Sequence, residues 1–128
     1  MEKIKLFGEN AEFEHVGIAV SSISRLVAAK KTPDPNQHVS LAFINLHGCR
    51  VELIESLDDS SPISGILKKG VAVYHLCFKV PDLELALEVA RNNGFHCFSG
   101  PSKAAAFKNK RIAFIYNKDW GIFELLEK

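Results

Sequence analysis

At 128 residues, with 47% hydrophobic and 24% charged side chains, the sequence has the proportions of one ordinary globular domain with a substantial core. Its 16 basic and 15 acidic side chains leave a formal charge of +1, with no basic stripe to suggest nucleic acid and no charged tail to suggest disorder. Residues 1–10 hold no long apolar run, so neither a signal peptide nor a membrane span is expected. Cys49, Cys77 and Cys97 form no Cys-X-X-Cys pair. An odd number of cysteines in apolar, strand-like surroundings reads as reduced, buried thiols and points to the cytoplasm.

Residues 1–11 read as a polar leader, loosely held or an edge strand. Residues 12–20 carry the first strand pattern. Ser21 or Ser22 can cap a helix whose apolar face is Ile23, Leu26 and Val27. That helix must end by Lys31, because Thr-Pro-Asp-Pro-Asn at 32–36 cannot continue it. Strands at 39–46 and 49–57 flank a His47-Gly48 turn and form a hairpin. A polar loop leads to a short helix at 62–69, ended by Gly70. A strand follows at 72–80, then Pro81 and a cap at Asp82. The next helix has Leu83, Leu85, Ala86, Leu87, Val89 and Ala90 as its apolar face and stops at Asn93-Gly94. A short strand at 95–98, a lysine-bearing loop, and strands at 111–116 and 121–127 complete the chain.

The two halves repeat. Phe13-Glu-His-Val-Gly-Ile-Ala-Val20 lies on Val73-Tyr-His-Leu-Cys-Phe-Lys-Val80, which sets His15 on His75 and Ile23 on Leu83. Leu41-Ala-Phe-Ile44 matches Ile112-Ala-Phe-Ile115, and Val51-Glu-Leu-Ile-Glu55 matches Phe123-Glu-Leu-Leu-Glu127. Each half therefore runs strand, helix, further strands. The expected fold is α+β, two βαβββ modules in one domain: module one at about 12–58, a linker at 59–70 and module two at about 71–128. The first module is abbreviated, since residues 30–37 are too short and proline-rich for the extra strand that the second copy has at 95–98.

Four polar residues recur at matched places: His15 and His75 in the opening strands, Glu52 and Glu124 in the closing ones. Strand alternation puts His15 on one face with Phe13, Gly17 and Ala19, and the small residues leave room beside the imidazole. Glu52 stands between Val51 and Leu53, and Glu124 between Phe123 and Leu125, in strands apolar enough to be buried. An unpaired buried carboxylate is costly. Taken singly, a strand histidine is more often a hydrogen-bonded core or surface residue, and a strand glutamate usually faces solvent. Recurrence at equivalent positions favours the alternative, in which two imidazoles and two carboxylates share a divalent metal.

These residues carry a resemblance to the vicinal oxygen chelate superfamily, which includes glyoxalase I, methylmalonyl-CoA epimerase, extradiol dioxygenases and bleomycin-resistance proteins. The sequence is most similar to the methylmalonyl-CoA epimerases and glyoxalase-like proteins. The matching stretches are His15-Val-Gly-Ile-Ala-Val20, Val51-Glu-Leu-Ile-Glu55, Ser61-Pro-Ile-Ser-Gly65, Tyr74-His-Leu-Cys-Phe78 and Gly121-Ile-Phe-Glu-Leu-Leu126. The resemblance implies a single glyoxalase-like domain, with its modules forming an open, cup-shaped mixed sheet around a metal. It also implies that His15, Glu52, His75 and Glu124 are the ligands, and that the protein is a homodimer.

Two imidazoles and two carboxylates suit a divalent ion such as zinc, nickel, cobalt or manganese. Four protein ligands leave two octahedral positions for neighbouring substrate oxygens, and the ion can act as a Lewis acid while a carbon acid loses its proton. Glu124 is the first candidate base and Glu52 the second. In similar epimerases a further glutamate from the early strands of the first module assists; between Lys30 and Val39 there is no matching glutamate. The resulting expectation is a metal-dependent isomerase or lyase acting beside a carbonyl, on a CoA thioester or a thiol adduct. The alternatives are a glyoxalase I-like lactoylglutathione lyase and a non-catalytic small-molecule binding protein of the same fold. Lys103, Lys108, Lys110 or Arg111 could meet the phosphates of CoA, though solvated loop lysines are the plainer reading. His38, His47 and His96 read as surface or local hydrogen-bonding groups. Cys77 shares a strand face with His75.

Overall fold

Apolar alternation on either side of the His47-Gly48 turn and of the turn at 118–120 places both hairpins where the sequence puts them in the computed structural model, which describes residues 1–128. The strands are β1 (Glu12–Ala19), β2 (Thr32–Asp34), β3 (Val39–Leu46), β4 (Cys49–Ser56), β5 (Val73–Val80), β6 (His96–Lys103), β7 (Arg111–Asn117) and β8 (Gly121–Glu127). Two helices, α1 (Ile63–Lys68) and α2 (Leu83–Asn92), and a single 3-10 turn at Ala105–Phe107 accompany them. The class is α+β, with one mixed sheet of eight strands in the order β2-β3-β4-β1-β5-β8-β7-β6. The chain gathers into two compact units.

One unit comprises residues 15–75 with 104–109. Within it β1 runs parallel to β4, with Gly17 opposite Glu52, while β3 and β4 pair antiparallel, with Phe43 opposite Glu52. Ala19, Val39, Leu41, Ile54 and the fully buried Ile63 of α1 form one cluster. Ile23, Ala42, Val51 and Leu53 form another. The Ser61-Pro-Ile linker thus seats α1 by its buried Ile63, with Ile66 and Leu67 of the same helix packed against the cluster.

The helix expected at 21–31 is absent. Its start survives as one turn, with Leu26 N and Val27 N donating to Ile23 O at 2.9 and 3.0 Å. Only Ile23 is buried, and Leu26 is 61% exposed, so there is no apolar stripe to hold a longer helix on the sheet. The proline-rich stretch forms β2 instead, a strand of three residues antiparallel to β3. Pro33 is tolerated because β2 lies at the edge of the sheet. The first module is therefore shortened at its helix and keeps a vestigial strand.

The other unit comprises residues 1–14, 76–103 and 110–128. It repeats the same pairings: β5 runs parallel to β8 with Cys77 opposite Glu124, and β7 pairs with β8 with Phe114 opposite Glu124. α2 forms as its pattern requires. Asp82 caps it by accepting from Leu85 N at 3.0 Å, and Leu83, Ala86, Leu87 and Ala90 are its buried face. β6 is longer than the strand expected at 95–98; it carries Pro101, and its pairing with β7 is broken by register shifts. The N-terminal stretch forms no strand; residues 1–5 are exposed, and the segment is anchored at Leu6 and Phe7. Phe7 is buried, with its ring 5.5, 5.4 and 5.2 Å from those of Phe78, Phe95 and Phe123. Asn93 Nδ2 also donates to Leu6 O at 3.2 Å.

The cysteines differ from expectation, since Cys77 alone is buried while Cys97 is exposed; all three are free. No helix is long and apolar enough to cross a membrane. Arg111 is committed within the fold: its guanidinium donates to Glu84 of α2 at 2.7 Å and to Glu127 of β8 at 3.2 Å.

These hydrogen bonds from Arg111 hold the carboxyls of Glu84 and Glu127 below the ordinary carboxylate range. A carboxylate with a depressed folded-state pKa stabilises the fold above the ordinary carboxylate range and loses that contribution as pH falls through its lowered pKa. Arg111→Ala should therefore lower the melting temperature at neutral pH, and the gap to the unaltered protein should close as pH falls through that window. A gap independent of pH in thermal melts would show that Arg111 acts by packing alone.

Candidate metal centre

His15 reaches the site from β1 and His75 from β5, each in a strand whose alternate residues are buried, and Glu52 comes from β4. All three are almost completely buried, with exposures of 0%, 2% and 4%. The two imidazoles present their Nε2 atoms to each other at 3.3 Å. Glu52 Oε1 lies 3.5 Å from His15 Nε2 and 3.8 Å from His75 Nε2. Those nitrogen–oxygen separations exceed the 2.7–3.2 Å of a good N–H···O hydrogen bond. They fit atoms that share a centre, because ligands bonded at about 2.1 Å to one ion lie roughly 3.0 to 4.2 Å apart.

Gly17 makes the arrangement sterically possible. It stands two residues after His15, on the same face, and opposite Glu52. A Cβ there would lie 2.5 Å from Nδ1 and 2.7 Å from Nε2 of His75. The imidazole of His75 therefore occupies the volume that a side chain would fill. The room that the sequence leaves beside His15 is taken up by the second histidine.

Glu124 is buried at 2% exposure on β8. Its register repeats that of Glu52, since each glutamate stands opposite the residue two places after its module's histidine: Gly17 for Glu52 and Cys77 for Glu124. One ligand-capable atom from each of His15, Glu52, His75 and Glu124 lies within 4.8 Å of the others, so all four residues singled out from the sequence come together in a buried cluster able to bind a metal.

Aromatic rings add a feature that the sequence reading passes over. Phe107 stacks on the His15 imidazole, with 5.8 Å between ring centroids and 18° between planes. Phe43 meets His15 edge-on at 5.5 Å and Phe107 at 5.7 Å, and Tyr74 meets His75 at 4.8 Å. Phe107 lies in the stretch read as a lysine-bearing loop. Its signal was the apolar run Ala104-Ala-Ala-Phe107 between lysines. Ala104 is buried, and Ala105 N donates to Asp34 Oδ2 at 3.2 Å, which pins the turn. Lys103, Lys108 and Lys110 are exposed, and His38 pairs locally with Asp58 at 2.9 Å.

Fold and site together define the class. The family model for the glyoxalase/bleomycin resistance protein/dioxygenase superfamily matches residues 14–114, and the chain belongs to that superfamily. Among curated proteins, the chain is 30% identical to the human mitochondrial methylmalonyl-CoA epimerase over 119 residues, covering 84% of this chain and 67% of that protein. It is 26% identical to an ethylmalonyl-CoA/methylmalonyl-CoA epimerase of Cereibacter sphaeroides, covering 83% and 88%. Among solved structures, methylmalonyl-CoA epimerase from Mycobacterium tuberculosis superposes with a TM-score of 0.76 at 24% identity, covering 99% of this chain and 92% of that one. A variant of the Streptomyces coelicolor methylmalonyl-CoA epimerase, in complex with 2-nitronate-propionyl-CoA, gives 0.72 at 21%, covering 91% and 96%. The last two likenesses establish the fold.

The steric argument at Gly17 has a direct test. Gly17→Val should displace the His75 ring and reduce copurified or reconstituted metal to the level of His75→Ala, while circular dichroism shows the sheet intact. Full metal occupancy in either variant would remove His75 from the ligand set.

Proposed function

We propose that this protein is a divalent-metal-dependent isomerase of the methylmalonyl-CoA epimerase type, moving a proton on the carbon next to a thioester carbonyl. The observation that carries this reading is the buried His15, Glu52, His75 and Glu124 cluster, with its ligand-capable atoms within 4.8 Å of one another. The named epimerase relatives support it. The donor set suits zinc, nickel, cobalt or manganese. When bound, the ion supplies Lewis acidity at the carbonyl and so eases loss of the adjacent proton.

The remaining work belongs to side chains. Glu124 accepts the α-proton, with Glu52 as the second candidate. His15 and His75 fix the donor geometry from two rigid strands. Phe43 and Phe107 cover the His15 ring, keep water from it and lower the local dielectric, which strengthens each electrostatic contact. In keeping with its three free thiols, the working form proposed is a cytoplasmic homodimer.

One observation favours a second reading, a glyoxalase I-like lyase of a thiol adduct. Epimerisation returns a proton on the opposite face of the carbon, and the stretch between Lys30 and Val39 offers no glutamate. Its one carboxylate, Asp34, is buried and already accepts from Asn36 N, Gln37 Nε2 and Ala105 N at 3.1, 2.8 and 3.2 Å. A single shuttling base suffices for the lyase.

The metal-loaded protein in deuterated buffer should exchange the α-hydrogen of methylmalonyl-CoA, read by mass spectrometry. Glu124→Gln should slow exchange by roughly 10²- to 10⁴-fold. Turnover of a methylglyoxal–thiol adduct without exchange would select the lyase. Ligand binding without either activity would leave a binding protein. Light scattering giving a 14.2 kDa particle would overturn the dimer.

A further inference from the structure

His15, Glu52 and His75 are almost completely buried, so a metal or a substrate oxygen reaches their donor atoms only when part of the cover moves. Two phenylalanine rings lie against the His15 imidazole, and they are held in different ways. Phe43 belongs to β3, where it stands opposite Glu52 in a ladder with β4 that is paired from Val39 to Leu46. Moving Phe43 would break the ladder that also positions a ligand. Phe107 belongs to no strand. It ends the 3-10 turn at Ala105–Phe107 and is only half-buried, so it is the outer layer over a fully buried imidazole.

The turn can move as one piece. Phe107 N and Asn109 N both donate to Ala104 O, at 3.1 and 3.0 Å, so residues 104–109 brace themselves around the buried Ala104. Lys108 and Asn109 follow with φ of 55° and 63°. Two consecutive left-handed residues without glycine's freedom are a strained arrangement of the kind found at switch points. Asp34 of β2 ties the turn down, its Oδ2 accepting from Ala105 N at 3.2 Å. Releasing that bond strands neither partner. Ala105 is exposed, so its amide can turn to water. Asp34 keeps Asn36 N on Oδ1 at 3.1 Å and Gln37 Nε2 on Oδ2 at 2.8 Å.

We propose that residues 104–109 form a gate over the metal centre, with Phe107 as its cover and Asp34 as its latch. The gate can close with a metal in place, because the donor atoms of His15, Glu52 and His75 already stand at separations that fit one ion. It therefore sets the rate of entry and exit rather than the affinity. The inference rests on the metal-centre reading above; the gate itself rests on the turn and its latch.

The test follows cobalt(II) uptake by the purified metal-free protein in a stopped-flow spectrophotometer, and cobalt release to excess EDTA. An open state populated roughly 0.1–10% of the time limits both rates, so Phe107→Ala should raise both by roughly 10- to 1,000-fold and leave the equilibrium dissociation constant unchanged. Phe107→Tyr should restore slow exchange. Asp34→Asn keeps Oδ1 for Asn36 but sets an amide NH2 against Ala105 N, and should raise both rates as well. Faster release with unchanged uptake, and hence weaker binding, would make Phe107 a buttress of the His15 ring and overturn the gate. Cobalt uptake with both rates unchanged in Phe107→Ala would also overturn it and leave the metal centre standing. Unchanged rates in Asp34→Asn alone would remove the latch. Absence of cobalt binding in the unaltered protein and in every variant would sink the metal centre, and the gate with it.

Discussion

Burying Glu52 between Val51 and Leu53 costs several kcal/mol unless its charge is shared, and the same holds for Glu124 between Phe123 and Leu125. Much of the architecture serves that constraint. Each glutamate lies on the last strand of its module, opposite the residue two places beyond the module's histidine. Parallel pairing of the first and last strands is what makes this possible, because it brings together residues 37 apart in one module and 49 apart in the other, as from His15 to Glu52 and from His75 to Glu124. A one-residue slip in either strand would turn the glutamate to the opposite face and strand it among apolar side chains.

The site's small residues follow from the same constraint. With Glu52 and two imidazoles gathered within 3.8 Å, there is no volume for a side chain at position 17, and glycine is the residue that leaves it. The equivalent position in the second module holds Cys77, which is buried as well. The two modules therefore share a backbone plan but not a packing plan. The first gives up volume to the second module's histidine, and the second fills its own.

Much of this was legible because it is local or repeated. The offsets that match His15 with His75 and Glu52 with Glu124 are visible in one sequence, and both hairpins announce themselves by alternation and turn residues. Other features turn on contacts between distant residues. Phe107 stacks on a ring 92 positions away, and only the apolar run Ala104-Ala-Ala-Phe107 hints at it. The ion pairs of Arg111 were hidden because its acceptors, Glu84 and Glu127, are remote in sequence. The missing first helix shows local propensity losing to packing, since Ile23, Leu26 and Val27 make a plausible stripe but the sheet buries only the first of them. Phe7 is the converse case, a single aromatic residue that fixes an otherwise polar segment.

The two outermost strands of the sheet share a property that bears on how copies of this chain can meet. β2 and β6 are the terminal strands, and each contains a proline, Pro33 and Pro101. Each proline deletes an amide donor from its strand, and β6 is further interrupted by its register shifts. Such an edge is a poor template for a ninth strand from another molecule. Main-chain polymerisation is thus blunted at both ends of the sheet.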